Sequence, residues 1–220
     1  TTDYTDVPQT ITLNKGLVAS SNSFANESYT FAILDDITVP VSDNTASFDN
    51  VAIYEGIYLT STFTVNSFDP DQRFILDNSG IDLSTLRVVV KPSQSSTVTR
   101  KYIQSDSLFD VTSESPVYFV HEVDGERYEL IFGDGIFGKK LDAPSFIEVS
   151  YLVTGGELAN GINNFNFSGK LTSSRDNISI SSGVSLVTAL NSSSLGQNIQ
   201  SVESIKKYST QIYSSQKRAV

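Results

Sequence analysis

The residues whose types and spacing suit chemistry fall in four groups. Gly133-Asp134-Gly135-Ile136-Phe137-Gly138 matches G-x-G-x-x-G, a pattern whose glycines let a pyrophosphate approach a helix N-terminus. That use needs a strand before it and a helix after it. Here KKLDAPSF follows, with Pro144 and no helical period, so the run reads as a tight exposed turn between strands. Gly133, Asp134, Gly135 and Gly138 shape that turn, and Phe132, Ile136 and Phe137 either pack into the sheet or meet a neighbouring protein. His121 beside Glu122 suits a hydrolase only with a nucleophile, and no serine in a strand-to-helix elbow stands near it in sequence. A structural role is the expectation for this histidine. The carboxylate pairs Glu126/Glu129 and Asp69/Asp71 have the composition of a glycosidase acid and base. In a chain with 25 Asp and Glu such pairs arise by chance and usually form a solvated face. Asp69, Asp71, Asp77 and Asn78 offer hard oxygens for calcium, but no EF-hand spacing is present.

Composition narrows the classes further. With no Cys and one His, thiolate catalysis, disulfides and histidine-rich metal sites are excluded. A formal net charge of −10 opposes binding to nucleic acid phosphates or anionic lipid heads. No apolar run approaches the roughly 18 residues that cross a bilayer. No cofactor motif is present, so no cofactor is expected, and a structural role needs no small-molecule substrate. The 39% hydrophobic and 18% charged content is that of a globular chain. The absence of Met, with Thr1 first and Lys217-Arg218 just before the last two residues, reads as a piece of a longer protein.

The elements that must position these residues are short and extended. ITL, LVAS, YTFAIL, ITVPV, FDNVAIYEG, IYLTSTFTV, RFILDN and LRVVVKP alternate with Asn, Asp and Gly turns. Pro40 has no N–H for a ladder, so its strand belongs at an edge or a bulge. Three more strands lie at Val117–Val120, Tyr128–Phe132 and Phe146–Val153, the first two joined through Asp124-Gly125, a hairpin signal. In the third, Ile147, Val149, Tyr151 and Val153 share the face that meets the core. The predicted fold is mainly β, an antiparallel sandwich or barrel-like arrangement with a C-terminal amphipathic helix. Its divisions are a linker at 1–10, a first β region at 11–100, a second at 101–170 carrying the glycine turn, a Ser/Asn/Gly-rich connection at 171–200, and a helix at 201–220 opening a further domain. In that helix Val202, Ile205, Tyr208 and Ile212 fall near helical spacing behind Ser201 as N-cap. Lys206 and Lys207 make it basic, so Ile205, Lys206, Lys207, Tyr208 and Ile212 are candidate contact residues.

The run from Tyr118 to Gly161, YFVHEVDGERYELIFGDGIFGKKLDAPSFIEVSYLVTGGELANG, resembles the core pattern of the baseplate J-like family, in particular the baseplate wedge subunits of T-even-like contractile-tailed bacteriophages. The shared features are FGDG-x-x-G followed by basic residues at Phe132 to Lys140, then a strand ending in Ser150-Tyr151 and a G-G-x-x-x-N segment ending at Asn160. The entry ITLNKGLVASSNSFANESYTFAILDDITVPV is similar to the family's strand–turn–strand start, with Asn14-Lys15-Gly16-Leu17 where a P-x-G-T turn is usual. ESIKKYSTQIYSSQKRAV is similar to the family's helix. The resemblance implies a non-catalytic structural protein of the virion tail baseplate, assembled in the host bacterial cytoplasm. Its implied partners are other wedge subunits and copies of itself, in a ring that rearranges on sheath contraction. Two other classes fit the residues alone: a glycan-binding β-sandwich adhesin and a carbohydrate-active enzyme.

Overall fold

A computed structural model describes residues 8–69, 71–175, 179–180, 182–186, 191–198, 206–207 and 209. The short alternating runs form fifteen strands among the described residues. In chain order they are β1 (Thr10–Leu13), β2 (Gly16–Ser21), β3 (Thr30–Ile33), β4 (Ile37–Pro40), β5 (Tyr54–Glu55), β6 (Ile57–Thr64), β7 (Phe74–Leu76) and β8 (Ile81–Lys91). There follow β9 (Arg100–Gln104), β10 (Val117–Val123), β11 (Arg127–Phe132), β12 (Phe146–Val153), β13 (Phe165–Phe167), β14 (Leu171–Ser173) and β15 (Ser179–Ile180). A 3-10 turn at Gly156–Ala159 sits between β12 and β13. The mainly β expectation holds. The C-terminal amphipathic helix falls largely outside the described residues.

Two four-stranded sheets, β15-β14-β1-β4 and β13-β2-β3-β5, share one apolar core of Leu13, Val18, Phe31, Ile33, Ile162 and Leu171. Pro40 lies on β4 at a sheet edge, where its missing N–H leaves no ladder bond unmade. The third sheet has seven strands in the order β6-β12-β8-β9-β10-β11-β7. It curls until its two edge strands approach. Gln72, just before β7, donates from Nε2 to the Thr64 carbonyl at 2.8 Å and accepts from the Asn66 N–H at 2.8 Å, and Phe63 meets Phe74 edge-to-face at 5.6 Å. The result is a nearly closed barrel, filled by Leu76, Val88, Tyr118, Leu130, Ile147 and Tyr151. Strand pairing is antiparallel apart from β9 with β10, which run parallel over two residue pairs.

One sheet crosses the expected division at residues 100 and 101. β6, β7 and β8, expected in the first region, share the barrel with β9 to β12, so one sheet spans both regions. The stretch 171–200 is also more than a connection: β14 pairs with β1, and β15 with β14. Strands β1 to β5 and β13 to β15, from before and after residues 57–153, therefore build one lobe, and residues 57–153 form the barrel inserted in it. The sequence hides this because strand pairing across some 160 positions leaves no local pattern.

β12 joins the two units. Ile147, Val149 and Tyr151 point into the barrel, as the alternation predicts. The opposite face is buried as well: Leu152 packs with Ala32 and Leu34 of the lobe, and Ser150 is 3% exposed. Chain crossings at Gly56 and Gly155 are tied by the Glu55 carboxylate, which accepts the Gly155 N–H at 3.0 Å.

Candidate docking site at the glycine turn

Gly133 to Gly138 form the turn the residue types predict, and β12, not a helix, is the next regular element. Phe132 ends β11 facing inward, where its ring meets Phe74, Tyr102 and Tyr118 at 5.4, 5.6 and 6.4 Å. That placement removes Phe132 from the exposed surface and anchors the start of the turn in the barrel. The Asp134 carboxylate then turns back on its own chain, its Oδ1 accepting the N–H groups of Ile136 at 2.8 Å and Phe137 at 2.9 Å. The Gly135 N–H donates to the Gly138 carbonyl at 3.1 Å and closes the loop. Gly133 and Gly138 touch so closely that a Cβ on Gly133 overlaps the Gly138 backbone, which is why this position takes glycine.

A second segment holds the turn from outside. The Gly138 N–H donates to the Thr112 carbonyl at 3.1 Å, and the Lys139 N–H donates to the Ser115 carbonyl at 2.7 Å. Thr112 and Ser115 are fixed to each other by a 3.0 Å bond from the Thr112 N–H to the Ser115 hydroxyl. Lys139 also pairs with Glu114 at 2.8 Å, which holds the Glu114 carboxyl below its usual range. Sequence reading did not single out Thr112 or Ser115. Their only signal was the Ser/Thr-rich run before β10.

All this bonding orders a turn whose two large side chains face solvent, Ile136 at 69% exposure and Phe137 at 49%. The loop that holds the turn carries two more exposed apolar residues, Leu108 and Phe109. Apolar groups on a rigid support lose little conformational freedom when a partner covers them, which is the property of an interface anchor.

The other candidate groups are not brought together as catalytic sites. Glu129 lies opposite His121 on β10 and β11, but its carboxylate is held bidentately by Arg73 at 2.7 and 2.6 Å, which keeps it ionised. Glu126 sits in the hairpin loop with φ 58°, outside that pair. Asp69 accepts the Asp71 N–H, Asp77 pairs with Arg127, and Asn78 accepts the Tyr151 hydroxyl. Among the described residues no three His, Cys, Asp or Glu side chains converge as metal ligands.

A cleft of about 420 Å³ between β9 and the Asp142–Ser145 segment is bordered by Lys91, Arg100, Lys139 and Asp142. Two of its three cations are already committed, Lys91 to Glu148 and Lys139 to Glu114. Lys206 and Lys207 are exposed on a helical turn. Ile205, Tyr208 and Ile212 lie outside the described residues.

The G-G-x-x-x-N segment has its own role. The Asn160 side chain bonds Gly196 twice, donating to its carbonyl at 2.9 Å and accepting its N–H at 3.0 Å. Gly156 leaves room for this strap, since a Cβ on it would overlap Asn198 Oδ1, and Gly196 lies so close that a Cβ there would overlap the Gly156 carbonyl.

No protein-family model matches the chain, and no curated protein matches it in sequence.

Proposed function

We propose that this protein is a structural, non-enzymatic component of a contractile phage tail baseplate, a wedge subunit that works through protein–protein contacts in ring assembly. Its place is then the virion tail, its partners other wedge subunits and further copies of itself. The observation that carries the contact reading is the glycine turn, a braced loop presenting Ile136 and Phe137 to solvent. A loop serving only to connect two strands gains nothing from displaying two large apolar side chains, because their exposure costs roughly 1.5–3 kcal/mol each relative to burial. The assignment to a baseplate rests on the resemblance of the Phe132–Lys140 and Glu148–Asn160 segments to the baseplate J-like pattern.

Sedimentation of the intact protein, alone and with wedge partners, tests it. The expected result is self-association or joining to a partner, with the double substitution Ile136→Ser and Phe137→Ser abolishing the complex while leaving the melting temperature within a few degrees. An intact protein that stays monomeric and joins no wedge partner overturns the reading.

A further inference from the structure

β10 and β11 pair in full register from Tyr118↔Phe132 to Val123↔Arg127. On its other side β10 has a strand neighbour only at Val117 and Tyr118, because β9 ends at Gln104. The last rung on that side is the Ser105 N–H donating to the Tyr118 carbonyl at 2.9 Å. Backbone groups alternate direction along a strand, so the N–H and C=O groups of Val120 and Glu122 point the same way as that carbonyl. No strand lies beside them among the described residues.

Other edges of the fold are blunted. β4 carries Pro40, β5, β7, β13 and β15 are two or three residues long, and β6 meets the lobe through Tyr58 at one end and Gln72 at Thr64 at the other. Short strands, proline and covered edges are the usual protections against strand addition. Phe119 to Val123 contains neither Pro nor Lys and is not covered among the described residues; its one edge charge is the acidic Glu122.

The chemistry around this edge specifies what fits it. Glu122, Asp124 and Glu126 are exposed at its far end, and the nearby Arg127 is already held by Asp77 at 3.3 Å and by the Asp124 carbonyl at 3.0 Å. On the solvent face of the sheet, Phe119 stands opposite Ile131, and Ile131 and Ile103 are 45% and 67% exposed.

We propose that the β10 edge at Phe119–Val123 is a docking site for an extended cationic strand of a partner polypeptide, which adds to the sheet and sets a Lys or Arg beside Glu122. Main-chain hydrogen bonds to Val120 and Glu122 supply the affinity, and the acidic hairpin tip selects a basic strand over an acidic one. The inference rests on the protein-contact reading but uses a different surface from the glycine turn.

The test uses the full chain, labelled with 15N, and an eight-residue peptide of alternating valine and threonine with a lysine at each end. Binding is expected to perturb the Val120 and Glu122 amides and to slow their hydrogen exchange. Glutamates in place of the lysines should weaken it by at least about tenfold. Methylating alternate backbone nitrogens of the peptide should abolish it. Glu122→Pro deletes an edge-facing N–H without touching the β11 ladder and should abolish binding too; if that variant fails to fold, the methylated peptide decides. The proposal is overturned if the lysine peptide leaves both amides unprotected at millimolar concentration, or if the methylated or glutamate peptide binds equally well. Concentration-dependent protection of these amides without peptide also overturns it, since the occupant is then a second copy. If the peptide fails while the Ile136/Phe137 variant still loses association in sedimentation, only the edge proposal falls.

Discussion

Asp134 is the residue on which the glycine turn depends. The N–H groups of Phe137 and Ile136 stabilise its charged form and hold its carboxyl below the ordinary aspartate value. A depressed native value means the carboxylate's contribution is complete above the unfolded value, about pH 4, and is lost as pH falls through the native one. The Ile136 and Phe137 amide resonances should therefore stay constant from neutral pH to about pH 4 and shift together below it. Asp134→Ala is expected to speed hydrogen exchange at those two amides while moving the melting temperature little, because the turn is exposed and its flanking strands remain paired. Unchanged exchange would show that Thr112 and Ser115 suffice to hold the loop.

At the scale of elements, β10 and β12 have the most to lose. Tyr118, on β10, is buried inside the barrel, and burial raises its phenol to about 12. A raised native value means its stabilising effect is complete below the unfolded value near pH 10 and disappears as pH rises through about 12. Alkaline titration followed by tyrosinate absorbance should show a slow phase that accompanies opening of the barrel, and Tyr118→Phe should reduce that phase and move the opening to higher pH. On β12, Leu152 is 0% exposed, so Leu152→Ala should cost about 2–5 kcal/mol in denaturant unfolding. Leu158→Ala, at an exposed position, should change stability by less than about 0.5 kcal/mol.

The whole molecule turns on the two places where the chain crosses between lobe and barrel. Gly56 has φ 139°, and a Cβ there falls 2.8 Å from the Val153 carbonyl oxygen at the other crossing. Gly56→Ala combines a disfavoured backbone with a backbone clash, so it should lower the melting temperature by several degrees. Gly183→Ala, with positive φ but no atom of the described residues within 4 Å of the added Cβ, separates the conformational cost from the clash. Equal effects of the two would remove the crowded crossing from the account.

Apart from β9, β13 and β14, which no local pattern marked, the sequence by itself determined the main strands, the hairpin at Asp124-Gly125, the edge position of Pro40 and the turn at Gly133–Gly138. Each follows from local backbone preference or from period-2 alternation, which act within a few residues. It also gave the inward face of β12, because Ile147, Val149 and Tyr151 alternate with polar or smaller residues. It did not give the burial of Ser150 and Leu152, since only the packing of the lobe covers that second face. The same limit applies to Thr112 and Ser115, whose carbonyls reach a turn more than twenty residues away, and to Asn160, whose partner Gly196 lies 36 positions on. For the candidate site, the glycines and the apolar pair Ile136 and Phe137 were legible as types. That Phe132 turns inward while those two face solvent was decided by the barrel's curvature and by the loop that braces the turn, both products of contacts distant in sequence.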